Sequence, residues 1–309
     1  MLPHLDDYLL QLQANNYSPR TVYNYERDLR VFGNFLQESK LEFSRLAKRD
    51  VTYYKAYLAS RDRETAGGEP GTATTLDARS VNRMLSALRS YLKYLVDMDF
   101  HCPLPAEAIK LTKATKKHGQ IAELDVLTAL VESPSEFEAN PKIALRNRAM
   151  LEVLLSTGMR ISELCSLKRS QIDGSGRVFI MGKGRKQRFV YLTPRASLHL
   201  EEYLRTRTDE AAALFIPYSG RNVNDPRRRI STNYLQERIK RYREKLQINV
   251  PTSAHSLRHG FATYLAESGA NPAALQILLG HESLVTTTRY VHASDRYAEE
   301  TQKRYHPRA

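Results

Sequence analysis

Along most of the 309-residue chain, apolar positions recur at helical spacing; one short region instead carries β-type runs of β-branched and aromatic residues. Residues 4–15 read as a short helix. Ser18-Pro19 opens a stronger one, with Ser at the N-cap and Pro at the first helical position. Val22, Leu29, Phe32 and Leu36 follow as one stripe, with Tyr25 beside it. A third helix is predicted from about Asp50 to Ala59. The run RDRETAGGEPGTATTLD, 61–77, is polar and carries Gly and Pro, so it is a loop, and a long one for a compact helical domain. A fourth helix spans Ala78 to Asp97, with Val81, Leu85, Leu88, Leu92 and Leu95 on one face. No strand pattern interrupts this stretch, so residues 1–102 form an all-α, four-helix domain whose aromatics belong to its core.

Residues 103–122 read as a linker. Pro103 and Pro105 stop helix propagation, and KLTKATKKHG brings Lys110, Lys113, Lys116 and Lys117 together. The second domain, 123–309, opens near Glu123. A helix over Ile143–Leu155 ends at Ser156-Thr157-Gly158, and Arg160 then starts another, ISELCSLK. After a turn at 173–176, two β-type runs, Arg177–Met181 and Arg188–Leu192, flank GKGRKQ. This predicts a hairpin with Lys183, Arg185 and Lys186 at its tip, in its sharper form the edge of a three-stranded sheet. Residues 195–205 are helical, and 218–229 are turn-rich and end in Arg227, Arg228 and Arg229. Residues 231–246 form an amphipathic helix with Arg238, Lys240 and Arg241 among its polar residues. Further helices fill 255–290, and 293–309 is a polar tail. The predicted class is mainly α: a helical first domain, and an α+β second domain with a small antiparallel sheet.

Charge separates the two halves. The chain carries +13 overall. Residues 1–110 hold 15 Lys+Arg against 14 Asp+Glu, while 111–309 hold 32 against 20. A basic domain is the footprint of a polyanion binder, so nucleic acid is the expected partner. Cys102 and Cys165 are too few for a disulfide framework and badly spaced for a zinc ribbon, which points to the reduced cytoplasm. MLPHLDDYLL lacks the pattern of a signal peptide, and no run of about 18 apolar residues predicts a membrane span.

The excess of charge shares its half of the chain with a set of chemically capable residues: His255, Arg258, His281 and Tyr290. Arg is a permanent cation whose fork fits two phosphate oxygens. His donates a hydrogen bond or carries a proton near neutrality. Tyr is a nucleophile once its pKa of about 10 is offset. Each alone is an ordinary helix residue; together they suit chemistry on a phosphodiester. His255 and His259 are four apart, but no HExxH and no unassigned third ligand accompanies them, so no metal is expected.

The segments TGMRISEL, GKGRKQR, HSLRHGFATYL, LLGHES and TTTRY, in this order, resemble the tyrosine recombinases of the phage-integrase family. More narrowly, they are similar to the Xer-type dimer resolvases and their mobile-element relatives. The resemblance covers the whole second domain, and the first is similar to the family's SAM-like core-binding domain. It implies a site made of Arg160, Lys183, His255, Arg258, His281 and the nucleophile Tyr290. It implies a 3′-phosphotyrosyl intermediate, a Holliday junction and no cofactor. Lys113, Lys116, Lys117, Arg185, Lys186, Arg227, Arg228, Arg229, Arg238, Lys240 and Arg241 are the expected DNA contacts. The implied partners are DNA with inverted half-sites and a homotetramer on two sites, or a heterotetramer with a paralogue, with an activating DNA translocase in some systems. The tail, 293–309, would dock onto a neighbouring protomer. Glu163 either orients Arg160 or is a surface residue of its helix, and His259 is structural. The rival readings are a type IB topoisomerase-like nicking-closing enzyme and a non-catalytic DNA-binding protein. Dimer resolution, with its link to chromosome partition and cell division, and mobile-element integration remain open.

Overall fold

A computed structural model describes residues 2–60, 75–113, 122–181, 187–225 and 227–280. The chain divides into two compact units, Met1–His118 and Gly119–Ala309. Most of the loop read at 61–77, the tip of the hairpin and everything after Gly280 lie outside the described residues.

In the first unit the helices are α1 (Leu5–Ala14), α2 (Pro19–Glu38), α3 (Lys48–Ala59) and α4 (Ala78–Asp97). The caps act locally. Ser18 Oγ accepts the Thr21 amide at 3.1 Å, and Asp77 accepts that of Ser80 at 2.8 Å. α3 starts ahead of Asp50 because the Asp50 carboxylate reaches back to the Ala47 amide, at 2.8 Å. The predicted stripes of α2 and α4 share one core. Its aromatics are internal: Phe32 meets Tyr54 edge-on at 4.8 Å and Tyr8 meets Tyr91 at 5.6 Å. Asp28, buried within α2, is paired with Arg83 of α4, but burial outweighs that pairing and raises its carboxyl pKa.

The stretch read as a linker is partly folded. Leu104, Ala106 and Ile109 pack into the first core, and Ala122 packs into the second. Asn82 of α4 pins the outgoing chain, accepting the Thr112 amide at 2.7 Å and donating to the Thr112 carbonyl at 2.9 Å. Two prolines stop a helix, but they do not keep apolar residues out of a core.

The second unit contains α5 (Leu124–Glu132), α6 (Pro134–Phe137), α7 (Pro141–Thr157), α8 (Ile161–Ser166), α9 (Pro194–Arg205), α10 (Thr232–Lys245), α11 (Ala254–Glu267) and α12 (Pro272–Leu279). α7 is buried around its whole circumference, and this includes Arg146, Asn147, Arg148 and Glu152. The Arg146 guanidinium donates to the Ile216 carbonyl at 2.9 Å and lies over the rings of Tyr218 and Tyr234. Arg148 is paired with Glu152 at 2.8 Å. α8 ends at Ser166, short of the predicted Lys168, because the next residue turns extended and its carbonyl accepts the Leu214 amide at 2.8 Å.

Strands β1 (Arg177–Met181) and β2 (Gln187–Tyr191) pair antiparallel, Arg177 opposite Tyr191 and Met181 opposite Gln187. Val178, Ile180, Arg188 and Val190 face inward, while Phe179 and Phe189 share the outer face. The three-stranded form is not what the described residues show. The third line is a single bridge, Ile172 to Val178, because the chain turns at Asp173, whose side chain accepts the amides of Ser175 and Arg177 at 3.0 and 3.1 Å.

Candidate active site

The site grows from the end of α7. Gly158 terminates that helix in the left-handed region, at φ 60°, and its amide bonds back to the Leu154 carbonyl at 3.0 Å. A Cβ at this position would stand 2.3 Å from the Phe261 ring of α11. Gly158 therefore fixes both the turn and the approach of α11. Gly158→Ala combines a strained backbone with an overpacked contact, a loss of about 3 kcal/mol. The expected thermal midpoint is about 6–12 °C below that of the parent, and an unchanged melting curve would refute this account.

Past the turn, Arg160 is the N-cap of α8. Its amide donates to Glu163 Oε2 at 2.7 Å and its Nη1 to Glu163 Oε1 at 3.0 Å. Glu163 is buried, so the structure selects the orienting role over the surface one. Burial acts to raise its pKa, but Arg188, the Arg160 amide and the two guanidinium charges outweigh it and hold the carboxyl below its ordinary value.

From α11 comes Arg258, also buried, which donates Nη1 to the Gly158 carbonyl and Nη2 to the Leu279 carbonyl, each at 2.6 Å. His255 lies one turn earlier, and its Nε2 is 2.7 Å from that of His259. One ring must donate and the other accept. Burial first, then the Arg258 and Arg160 charges, lowers the His255 pKa; burial, His255 and Arg258 lower that of His259. Both imidazoles are therefore neutral at pH 7 and able to accept a proton.

α12 completes the frame. The last carbonyls of a helix lack intrahelical partners and sit at the negative end of its dipole. Here three successive carbonyls each receive an arginine. Leu278 accepts from Arg188 Nε at 2.9 Å, Leu279 from Arg258 at 2.6 Å and Gly280 from Arg160 Nη2 at 3.4 Å. The structure thus brings together Arg160, His255 and Arg258 from the predicted set, adding Glu163 and Arg188. Lys183, His281 and Tyr290 lie outside the described residues. The part played by Arg188 was missed by the sequence reading. The available signal was its parity with Val190 in QRFVY, which puts it on the inward face of the strand.

The expected DNA contacts separate into groups. Lys113 is exposed in the first unit, whereas Lys116, Lys117, Arg185 and Lys186 lie outside the described residues. Arg227 and Arg229 line a polar cleft with Ser162, Ser166, Thr232 of α10 and its N-cap Ser231. Arg228 is half-buried, at φ 39°. Lys240 and Arg241 are exposed on α10, but Arg238 is not part of that face: it turns to Glu138, at 3.2 Å, and lies over Tyr234. Among the described residues no group of three or more His, Cys, Asp or Glu is placed to hold a metal, and no helix is long and apolar enough to cross a membrane.

Comparison with known proteins agrees with this frame. Residues 123–296 match the phage integrase family, and residues 5–98 match the phage integrase N-terminal SAM-like domain. The tyrosine recombinase XerC of Pelobacter propionicus is 34% identical over 313 residues, covering 100% of this chain and 97% of the relative. The tyrosine recombinase XerC of Leptospira interrogans is 32% identical over 298 residues, covering 95% and 89%. Among solved structures, the XerH site-specific recombinase bound to palindromic difH substrate, in a post-cleavage complex, gives a TM-score of 0.72 at 22% identity, over 94% of this chain and 81% of that one, a likeness of fold. With the family match spanning the unit that carries the arginine frame, and relatives at this identity along nearly the whole length, the chain belongs to the phage integrase family, the tyrosine recombinases.

Proposed function

We propose that the chain is a site-specific recombinase that cuts and rejoins two DNA duplexes through a 3′-phosphotyrosyl intermediate and a Holliday junction. The observation that carries this reading is the frame in which Arg160 and Arg258 are fixed to successive carbonyls at the end of α12, with His255 beside them. Such preorganised cations suit a phosphorane-like transition state, in which the non-bridging oxygens gain charge. In this scheme the Tyr290 oxygen bonds to phosphorus as the bond from phosphorus to the 5′-oxygen breaks. The tyrosine proton passes to neutral His255, and Lys183 supplies a proton to the departing oxygen. Arg160, Arg258 and His281 stabilise the charge. Resealing by a 5′-hydroxyl of the second duplex reverses each transfer and needs no ATP.

The DNA partner carries inverted half-sites, gripped by residues 1–102 and by the second domain, 123–309. Arg227, Arg229, Lys240 and Arg241 supply phosphate contacts, so binding falls steeply with salt. The acting assembly is a tetramer on two sites, of this chain alone or with a paralogue, coupled through 293–309 and in some settings switched on by a translocase. It works in the cytoplasm, where Cys102 and Cys165 stay reduced. Its task is dimer resolution, hence chromosome partition and cell division, or mobile-element movement.

A supercoiled plasmid bearing two copies of a candidate site from the host genome tests the reading. Incubated with the protein in EDTA, it should yield recombinant circles and a denaturation-resistant protein–DNA adduct. Relaxation without recombinants would place the chain with nicking-closing enzymes, and binding without either product would make it a non-catalytic binder.

A further inference from the structure

Arg188 holds a position that a strand residue of a basic hairpin does not need. It sits on the inward face of β2, opposite Ile180, and is 8% exposed. Burying a guanidinium is costly unless its donors are matched. Here they are: Nη1 and Nη2 form a bidentate pair with the two oxygens of Glu163, at 3.0 and 2.8 Å, and Nε takes the Leu278 carbonyl at 2.9 Å. Gly280 rests directly on the side chain. A Cβ there would meet Arg188 Cδ and Nη1 at 3.1 Å, and its backbone is at φ 62°.

We propose that Arg188 is a positioning residue that sets Arg160 by competing with it for Glu163, and in doing so ties β2, the turn before α8 and the end of α12 into one frame. This rests on the recombinase reading above. Glu163 accepts four hydrogen bonds, two from Arg188 and two from Arg160, one of these from its backbone amide. Because Arg188 takes the two-pronged contact, Arg160 gives the carboxylate a single guanidinium donor, and its side chain stays 39% exposed. Without Arg188, the carboxylate and Arg160 would close into a bidentate pair of their own, the favoured geometry for these groups. That pair would draw Arg160 away from a phosphate. The same loss would free the Leu278 carbonyl and the contact under Gly280, and so loosen the backbone leading to His281. Lysine cannot replace this residue, since a point charge cannot make the fork and the third bond together.

The test uses the full chain with Arg188→Gln, Arg188→Lys, Glu163→Gln and the double variant Arg188→Gln/Glu163→Gln. Three quantities are read: thermal midpoint, half-site affinity, and the single-turnover rate of adduct formation on nicked suicide DNA at saturating protein. Arg188→Gln should slow cleavage about 100-fold, the scale of a 1 Å misplacement, with half-site affinity within about threefold of the parent, a factor worth about 0.7 kcal/mol. The double variant should be no slower than the worse single one, because the two residues act as a unit. Cleavage by Arg188→Gln at the parent rate, or independent losses that multiply in the double variant, overturns the proposal. If Arg188→Gln does not fold, Arg188→Lys decides: slow cleavage by a stable protein supports the role, and parental cleavage rules it out. A parent chain that forms no adduct brings down the recombinase reading itself, whereas a parent that cleaves beside an Arg188→Gln variant that cleaves equally well removes this proposal alone.

Discussion

Tyr290→Phe is expected to abolish the covalent adduct and all recombination, by about 10⁴-fold or more, while leaving DNA affinity within about twofold. The substitution removes one oxygen atom and keeps the ring, so contacts made by ring packing persist. What disappears is the atom that, in the scheme proposed above, bonds to phosphorus. A cationic frame without a nucleophile can bind and polarise a phosphodiester, but it cannot exchange one ester for another. The tyrosines of the two cores are poor substitutes. Of the 18 in the chain, Tyr8, Tyr91 and Tyr242 have hydroxyl pKa values pushed up by burial, and Tyr203 is fully buried as well. Denaturing gels of nicked suicide DNA read the adduct, and gel shift reads the binding. An adduct that survives in Tyr290→Phe would reassign the nucleophile. A parallel fall in binding would show that the residue serves recognition rather than chemistry.

The parts of this molecule that were legible in its sequence are those where one local signal suffices. Ser18-Pro19 and the stripe through Leu36 specify α2, and the five apolar residues of α4 specify both its limits and its buried face. The run of β-branched and aromatic residues in Arg177–Met181, bounded by the turn at 173–176 and by GKGRKQ, specifies β1. The segments around Arg160 and Arg258 mark the candidate site, placing such residues after a Gly-terminated helix and within HSLRHG. Less legible was everything decided by tertiary partners. On α7, nothing in the local pattern marks the charged Arg146, Arg148 and Glu152 as interior, yet they are buried, because Tyr234, the Ile216 carbonyl and neighbouring charges satisfy them. Arg238 reads as one of several basic residues on an amphipathic helix until Glu138 is placed beside it. Leu104, Ala106 and Ile109 are too sparse to signal a packed segment, yet they complete a core. Arg188 belongs to this class. Its spacing gives its face, but nothing local shows that the carboxylate it meets also holds Arg160.

Arg258→Gln should lose about 10²–10³ in the rate of cleavage, the scale of removing one preorganised donor from a developing oxyanion. Unlike Tyr290→Phe, it should also destabilise the fold. Arg258 is 4% exposed, and its two 2.6 Å bonds hold the carbonyls of Gly158 and Leu279. Leaving a buried carbonyl without its partner costs about 1–3 kcal/mol, and glutamine, with a shorter side chain and one amide, cannot reach both. One of these carbonyls belongs to the turn before Arg160 and the other to the residue before Gly280, so the loss spreads to both neighbours of the frame. Arg258→Lys separates the effects. It keeps the charge and one bond, so its thermal midpoint should fall between those of the parent and Arg258→Gln. Its cleavage rate should stay close to that of Arg258→Gln, because the fork that would engage two phosphate oxygens is gone. Melting curves and single-turnover cleavage on the same preparations check the pair. If Arg258→Lys cleaves at the parent rate, charge alone is what the position supplies, and the geometric account of the arginine frame fails there. If both variants melt with the parent, the bonds to Gly158 and Leu279 are not what holds the end of α7 to the end of α12.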